Sequence, residues 1–166
     1  MRIRQYIAKK DFDIIKKWVA DERVFTMWSA NKFSYPLEKR NFESVLIELA
    51  DKYDDCPFVA TDDSGKPIGF FCYSINYVIN EGMLKFIMID SSIRGQGFGR
   101  EMLNLAVKYA FEITKADTIQ LNVFSANERA KKCYENVGFI ERSVAPNAIS
   151  YKDESWDRCN MFISKI

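Results

Sequence analysis

An apolar stretch, three closely spaced glycines and the start of a helical pattern follow one another in residues 87–100, which read Ile87-Met88-Ile89-Asp90-Ser91-Ser92-Ile93-Arg94-Gly95-Gln96-Gly97-Phe98-Gly99-Arg100. This order predicts a strand, a glycine-rich turn and a helix that runs to about Thr114. The first N–H groups of a helix are unpaired and lie at the positive end of its dipole. Because glycines lack the Cβ atoms that would keep a phosphate away, the turn predicts a site for a phosphate or pyrophosphate.

The spacing of the glycines excludes two common phosphate-binding motifs. A dinucleotide-binding G-x-G-x-x-G would need a glycine where Arg100 or Met102 stands, and no Gly-Lys-Ser/Thr is present. Asp117 precedes its predicted strand, so it does not take the place of a ribose-binding acid. What remains is Arg94-x-x-Gly97-x-Gly99, for which a glycine-rich helix start without a ligand is the alternative interpretation.

Upstream of this turn, the pattern indicates hairpins. Three strand-like stretches between residues 57 and 90 are joined by short turns, which is typical of an antiparallel sheet. Two helices are expected before them, one capped by Asp11 and one with Pro36 in its first turn. The aromatic-rich stretch between them, residues 22–35, is irregular in its pattern.

Downstream of the turn, strands and helices alternate. A strand over residues 118–124 precedes a helix with a Ser125-to-Glu128 capping box, and that helix ends at Gly138. Together the elements predict an α/β (α+β) fold with a mixed sheet of six or seven strands, antiparallel in its N-terminal half and flanked by about four helices. At about 150 residues per domain, the 166 residues are expected to form one domain, residues 1–166.

Composition excludes several classes of function. The net charge of +1 gives no electrostatic footprint for nucleic acid. The absence of histidine excludes Ser-His-Asp and Cys-His mechanisms and every histidine-ligated metal. The four cysteines form no C-x-x-C motif, so no metal is expected and a reducing compartment fits them. No run approaches the ~18 apolar residues of a membrane span, and no signal-like apolar segment opens the chain, so a cytoplasmic protein without membrane association is expected.

Two motifs resemble the GNAT superfamily of acetyl-CoA-dependent N-acetyltransferases. The segment 94–99 is similar to the Gln/Arg-x-x-Gly-x-Gly/Ala loop that binds the pyrophosphate of acetyl-CoA in that family. Residues 121–139, with Asn127, Ala130, Tyr134 and then Gly-Phe, resemble its "Asn, Ala, Tyr, Gly-Phe" helix. The element order also fits that fold. A further similarity, carried by Trp18 and Asp21, is to the branch that includes ribosomal-protein N-terminal acetyltransferases.

The resemblance implies an enzyme that transfers an acetyl group from acetyl-CoA, by direct attack, to a primary amine of a small molecule or a peptide N-terminus. It implies acetyl-CoA as cosubstrate and no metal. Tyr134 would be the general acid for the CoA thiolate, and Asn127 would bond the pantetheine arm. The other cofactor-binding positions implied are Ile87, Met88 and Ile89 through their backbone, and Arg94, Gly95, Gln96, Gly97, Phe98, Gly99 and Arg100 around the phosphates.

Several roles stay open at the level of sequence. The general base is one of these: the candidates are a water chain or the side chains of Glu81, Asp90, Tyr73 and Tyr77. Lys131 and Lys132 either meet the 3′-phosphate of CoA or form a solvated helix face. The aromatic residues from Phe25 to Tyr35, with Trp156, either wall the acceptor site or belong to the core. A catalytically silent acyl-CoA-binding sensor or interaction module is the alternative function, and a homodimer is left open.

Overall fold

The computed structural model of the chain describes residues 1–19 and 21–165. Within these ranges the chain forms seven strands and five α-helices, with 3₁₀ turns at Lys16–Val19 and Ser91–Ile93. The strands, numbered β1 to β7, are Arg2–Gln5, Cys56–Thr61, Pro67–Asn76, Glu81–Ile89, Thr118–Phe124, Ile140–Tyr151 and Glu154–Ser164. The helices, numbered α1 to α5, are Ala8–Ile15, Glu22–Ser29, Lys39–Tyr53, Phe98–Glu112 and Glu128–Val137.

The strands form a single mixed sheet in the order β1-β2-β3-β4-β5-β7-β6. Neighbouring strands are antiparallel except β4 and β5, which are parallel and are connected through α4. A parallel pair needs such a crossover because its two strands start at the same end of the sheet. The mixed seven-stranded sheet, antiparallel through its first four strands, confirms the predicted fold class.

Helices cover both faces of the sheet and create two cores. Successive side chains of a strand point to opposite faces, and β3 is buried on both. Phe70 packs with the core beneath α1, α2 and α3, whereas Phe71 packs with the core beneath α4 and α5. None of the helices in the described ranges has the length and apolar character that a membrane span requires.

The first half of the chain corrects two sequence-based expectations. The irregular aromatic stretch contains α2, whose N-cap Asp21 accepts a hydrogen bond from the Val24 N–H at 2.8 Å, so one helix more than the expected four is present. Pro36 does not open a helix. The buried side chain of Leu37 ties this segment to the core, and α3 begins only at Lys39.

The predicted capping box at the start of α5 is wrong as well. Asn127 is the N-cap residue there, and its Oδ1 accepts a hydrogen bond from the Ala130 N–H at 3.3 Å. Ser125 lies two residues too early, and its Oγ instead accepts a hydrogen bond from the Asp157 N–H at 3.0 Å. The hydroxyl therefore links the end of β5 to β7 rather than capping the helix.

The prediction that Asp11 caps the first helix is also wrong, because Ile7 is the N-cap residue of α1. Asp11 lies inside α1, fully buried, and its carboxylate accepts two 2.7 Å hydrogen bonds from the Arg4 guanidinium. The same carboxylate reaches back to the Ile7 N–H, also at 2.7 Å, and so fixes α1 against β1. A bidentate contact of this kind is stronger than a single ion pair.

Replacing Asp11 with alanine should lower the free energy of unfolding by about 2 kcal/mol, because Arg4 and the Ile7 N–H lose their acceptor. This loss of stability lies at the low end of the range for a broken buried ion pair, since a third of the Arg4 side chain is exposed to water. Urea unfolding followed by circular dichroism measures it. Asp13→Ala is the control, because Asp13 is exposed on the same helix. Equal losses in both variants would contradict a stabilising role for the pair.

Candidate active site

The central gap of the sheet lies between β4 and β5. These strands pair only from Glu81 to Leu84 on β4, opposite Thr118 to Leu121 on β5, and then diverge. An extra residue in β4 shifts its register with β3, and Phe86 at this bulge has the left-handed φ of 51°. A bulge bends its strand and increases the local twist. The bend carries the remainder of β4 away from β5.

Trp28 of α2 holds the bulge in place. Its Nε1–H donates a 2.8 Å hydrogen bond to the Phe86 carbonyl oxygen, and its ring stacks on Phe33 at a centroid distance of 5.2 Å. Phe25 and Phe33 are buried in the core beside it. The aromatic residues from Phe25 to Tyr35 were expected either in the core or at an acceptor site. Trp28 meets both expectations, because it packs against the core and also lines a cavity.

A cavity of about 1110 Å³ occupies the gap between the diverging strands. Its walls include the segment from Met83 to Ile89 on β4 and the segment from Asn122 to Phe124 on β5. One end of the cavity reaches the glycine-rich turn and α5. The other end reaches the end of α2 and the β6–β7 hairpin. The volume slightly exceeds the usual range for small-ligand pockets, so the cavity has room for a large ligand.

The glycine-rich turn forms one mouth of the cavity. Gly95 and Gly97 have φ values of 88° and 90°, which only glycine adopts readily. Gly97 is the N-cap residue of α4, and no side chain caps this helix end. Its first N–H groups are therefore available to an anion. A Cβ on Gly97 would meet no protein atom within 4 Å, so the space beside it is open.

Three arginines surround this mouth. Arg94, Arg100 and Arg129 all line the cavity, and within the described part of the chain none of them has an ion-pair partner. Burial, followed by the like charge of Arg129, holds the pKa of Arg94 below its usual value. Unpaired neighbouring cations repel each other, and a bound anion removes that repulsion. The set therefore fits the phosphates of CoA.

Arg129 was missed by the sequence analysis. The signal that could have indicated it is a basic residue in the first turn of α5, the helix that carries Tyr134. Of the two lysines left open, Lys131 turns aside to pair with Glu141 at 2.7 Å. Lys132 lines the cavity, although it also approaches Glu135 at 3.4 Å.

Tyr134 of α5 lies inside the cavity wall. Its side chain is buried, and its hydroxyl has no hydrogen-bond partner among the described residues. Burial raises the pKa of Tyr134 well above its usual value, so the phenol keeps its proton at physiological pH. The predicted residues that line the same cavity are Ile87, Met88, Ile89, Arg94, Gly95, Gly97, Phe98, Gly99, Arg100 and Asn127. Gln96 does not line it and is exposed.

None of the four candidate bases lines the cavity. Glu81 accepts a hydrogen bond from Arg142, which holds the pKa of that carboxyl below its usual value. Asp90 accepts hydrogen bonds from the backbone and the hydroxyl of Ser92. Tyr73 bonds to Thr114, and Tyr77 is exposed. All four therefore have structural or surface positions.

Two further features lie outside the cavity. Trp156 is buried below the guanidinium of Arg23 and stacks on Tyr151, so it supports the β6–β7 hairpin. In residues 1–19 and 21–165, no three cysteine, aspartate or glutamate side chains come together in an arrangement that could hold a metal ion.

Comparison with known proteins agrees with this geometry. The acetyltransferase (GNAT) family model matches residues 21–139, which contain the glycine-rich turn, both diverging strands and Tyr134. The chain belongs to the GNAT acetyltransferase family. Membership confirms the resemblance, the acyltransferase class and acetyl-CoA as the cosubstrate of that class. The ribosomal-protein branch stays a prediction.

Individual relatives share only part of their sequence with this chain. The uncharacterized N-acetyltransferase MJ1207 of Methanocaldococcus jannaschii is 27% identical over 115 residues, which are 66% of this chain and 50% of that protein. The spermidine N(1)-acetyltransferase of Vibrio cholerae is 34% identical over 85 residues, 51% of this chain and 49% of the relative. The matched parts therefore span about half the length of each of these two relatives.

A solved structure shows the same fold. The spermidine N-acetyltransferase of Vibrio cholerae in complex with CoA and spermine superposes with a TM-score of 0.82 over 98% of this chain and 94% of that one. The two sequences are 24% identical in this alignment, so the likeness establishes the fold alone.

Proposed function

We propose that the chain, as one domain over residues 1–166, transfers the acetyl group of acetyl-CoA to a primary amine of a small molecule. The observation that carries the proposal is the cavity between β4 and β5, which joins an anion-binding helix start to the buried hydroxyl of Tyr134. The name of the Vibrio cholerae relative, a spermidine acetyltransferase, supports a small-molecule acceptor over a peptide N-terminus.

The chain's own groups suit the binding of a CoA thioester. The free N–H groups at the start of α4, with Arg94, Arg100 and Arg129, bind the phosphates. Gln96 and Phe98 complete the turn that positions those N–H groups. Asn127 lines the same cavity as the turn and Tyr134, where it can bond the pantetheine arm. Acetyl-CoA supplies the acetyl carbon and the thiolate leaving group.

The backbone of β4 stabilises the charge that develops on the carbonyl oxygen. Successive N–H groups of a strand point to opposite edges, so alternate amides among Ile87, Met88 and Ile89 face the gap. A preorganised amide N–H in a site with little water is an effective donor to an oxyanion. The amine nitrogen forms a bond to the acetyl carbon while the bond from carbon to sulfur breaks.

Tyr134 donates its proton to the departing sulfur, and water takes the proton that the amine nitrogen loses. Within residues 1–19 and 21–165 no carboxylate lines the cavity, so the amine must enter in its neutral form. An alkylamine with a pKa of about 10.4 is neutral in only about one molecule in a thousand at pH 7.4. The supply of neutral amine therefore sets the pH dependence.

The value of kcat/KM for the acceptor should rise about tenfold per pH unit from pH 7 towards the pKa of the amine. No descending limb should follow below pH 10, because burial raises the pKa of Tyr134 and keeps the acid protonated over this range. Initial rates of thiol release across this range, at saturating acetyl-CoA, measure the profile. A descending limb below pH 9 would contradict Tyr134 as the acid.

A transfer assay with a broad panel of amines tests the function itself. Mass spectrometry of the products and calorimetric titration with CoA distinguish the two candidate functions. Acetylated product supports the enzyme, whereas tight CoA binding without product from any amine supports the silent sensor. If CoA does not bind, neither function holds.

A further inference from the structure

The charged side chains that line the cavity are all positive within residues 1–19 and 21–165. Among the residues that the structure describes, seven cationic side chains line the cavity and no aspartate or glutamate does. The seven are Lys32, Lys85, Arg94, Arg100, Arg129, Lys132 and Arg158. Four belong to the phosphate mouth at the glycine-rich turn and α5. The ammonium of Lys85 is paired with Asp55 at 2.8 Å. Lys32 and Arg158 therefore remain without an assigned role.

Arg158 points towards the α2 face of the sheet. Its strand neighbour Cys159 packs in the same core as Tyr134, and side chains alternate along β7. Arg158 therefore faces the same side as Trp156, which contacts Arg23 of α2. Its partner across the ladder is Phe124, itself part of the cavity wall. In the described ranges the guanidinium has no hydrogen bond or ion pair.

Lys32 lines the end of the cavity at α2 and the β6–β7 hairpin, which we call the α2 mouth. The helix α2 ends at Ser29, and the next two residues, Ala30 and Asn31, have left-handed φ. After this turn, Lys32 lines the cavity together with Trp28. Its ammonium also has no partner in residues 1–19 and 21–165. Two unpaired cations and no carboxylate disfavour a polycation at this mouth and favour an anion.

We propose that the acceptor is an amine that also carries an oxyanion, a carboxylate or a phosphate, and that Arg158 and Lys32 bind this group. The inference rests on the proposed acetyl transfer and specifies its acceptor. A guanidinium fits the two oxygens of either anion in a bidentate contact. Binding the anion at the α2 mouth leaves the amine end of the acceptor directed into the gap, towards the thioester.

Four amines that differ at one end distinguish the acceptor classes: 4-aminobutyrate, 3-aminopropylphosphonate, butylamine and putrescine. We expect kcat/KM for at least one of the two anionic amines to exceed that for butylamine and putrescine by tenfold or more. The preferred anion identifies carboxylate or phosphate. Arg158→Gln should lower kcat/KM for that substrate by about ten- to a hundredfold, mainly through KM, since the charge-assisted contact of the guanidinium is lost. The variant should change kcat/KM for butylamine, which carries no anion, far less than it changes kcat/KM for the anionic amine.

Arg40→Gln is the matched control, because Arg40 is exposed on α3 and does not line the cavity. It should alter none of these constants. Preference for putrescine, or an equal loss with all four amines in Arg158→Gln, would overturn the proposed acceptor while leaving acetyl transfer intact. If calorimetry detects no CoA binding, or if no amine is acetylated, the proposed function itself fails and the inference with it.

Discussion

A Tyr134→Phe variant is expected to lose about 100- to 1,000-fold in kcat and to bind CoA as tightly as the native chain. The phenol is the only proton donor we assign to the leaving sulfur, and the substitution removes its oxygen alone. The hydroxyl has no hydrogen-bond partner in the described ranges, so its loss leaves no other group unpaired. Stopped-flow detection of free thiol measures the transfer step, and calorimetry measures CoA binding.

Tyr109→Phe is the matched control for this experiment. Tyr109 is half-buried and, like Tyr134, has a pKa raised by burial, but it packs on Phe58 outside the cavity. Removal of its hydroxyl should leave kcat within twofold of the native value. If Tyr134→Phe behaves in the same way, Tyr134 is a core residue and another donor protonates the sulfur.

The parts of the site that the sequence predicted are those that local chemistry determines. The left-handed conformation at Gly95 and Gly97 is a property of glycine, and the helix start after them follows from the apolar pattern. Tyr134 was found because its distance from the turn matches a family motif. These residues line one cavity. Such proximity in the fold is the support that a motif found in sequence needs.

The parts that the sequence missed depend on contacts between distant segments. The bulge at Phe86 forms through a hydrogen bond from Trp28, 58 residues earlier. Glu81 is a candidate base by sequence, but Arg142, 61 residues later, donates a hydrogen bond to its carboxylate. Arg158 showed no pattern in sequence, because only the pairing of β5 with β7 brings it to the cavity. Pair contacts of this kind carry no local signal.

A Gly97→Val variant should raise the Kd for CoA about a hundredfold. Gly97 is the N-cap residue of α4 and lines the cavity, and its surroundings are open to a Cβ. A branched side chain there would occupy the space that we assign to a phosphate and separate it from the first N–H groups of α4. The loss of one or two charge-assisted hydrogen bonds, each worth about 1.5–3 kcal/mol, accounts for this factor. Isothermal titration with CoA measures the Kd.

Gly65→Val separates the effect on the ligand from backbone strain. Gly65 has a φ of 87°, close to the 90° of Gly97, and a Cβ there would also meet no atom within 4 Å. It lies in the turn between β2 and β3, away from the cavity. Both variants should therefore lose similar stability on thermal unfolding, because a β-branched residue is strained at this φ wherever it stands. Only Gly97→Val should lose CoA affinity. Equal Kd values in the two variants would mean that the phosphates bind elsewhere than at the start of α4.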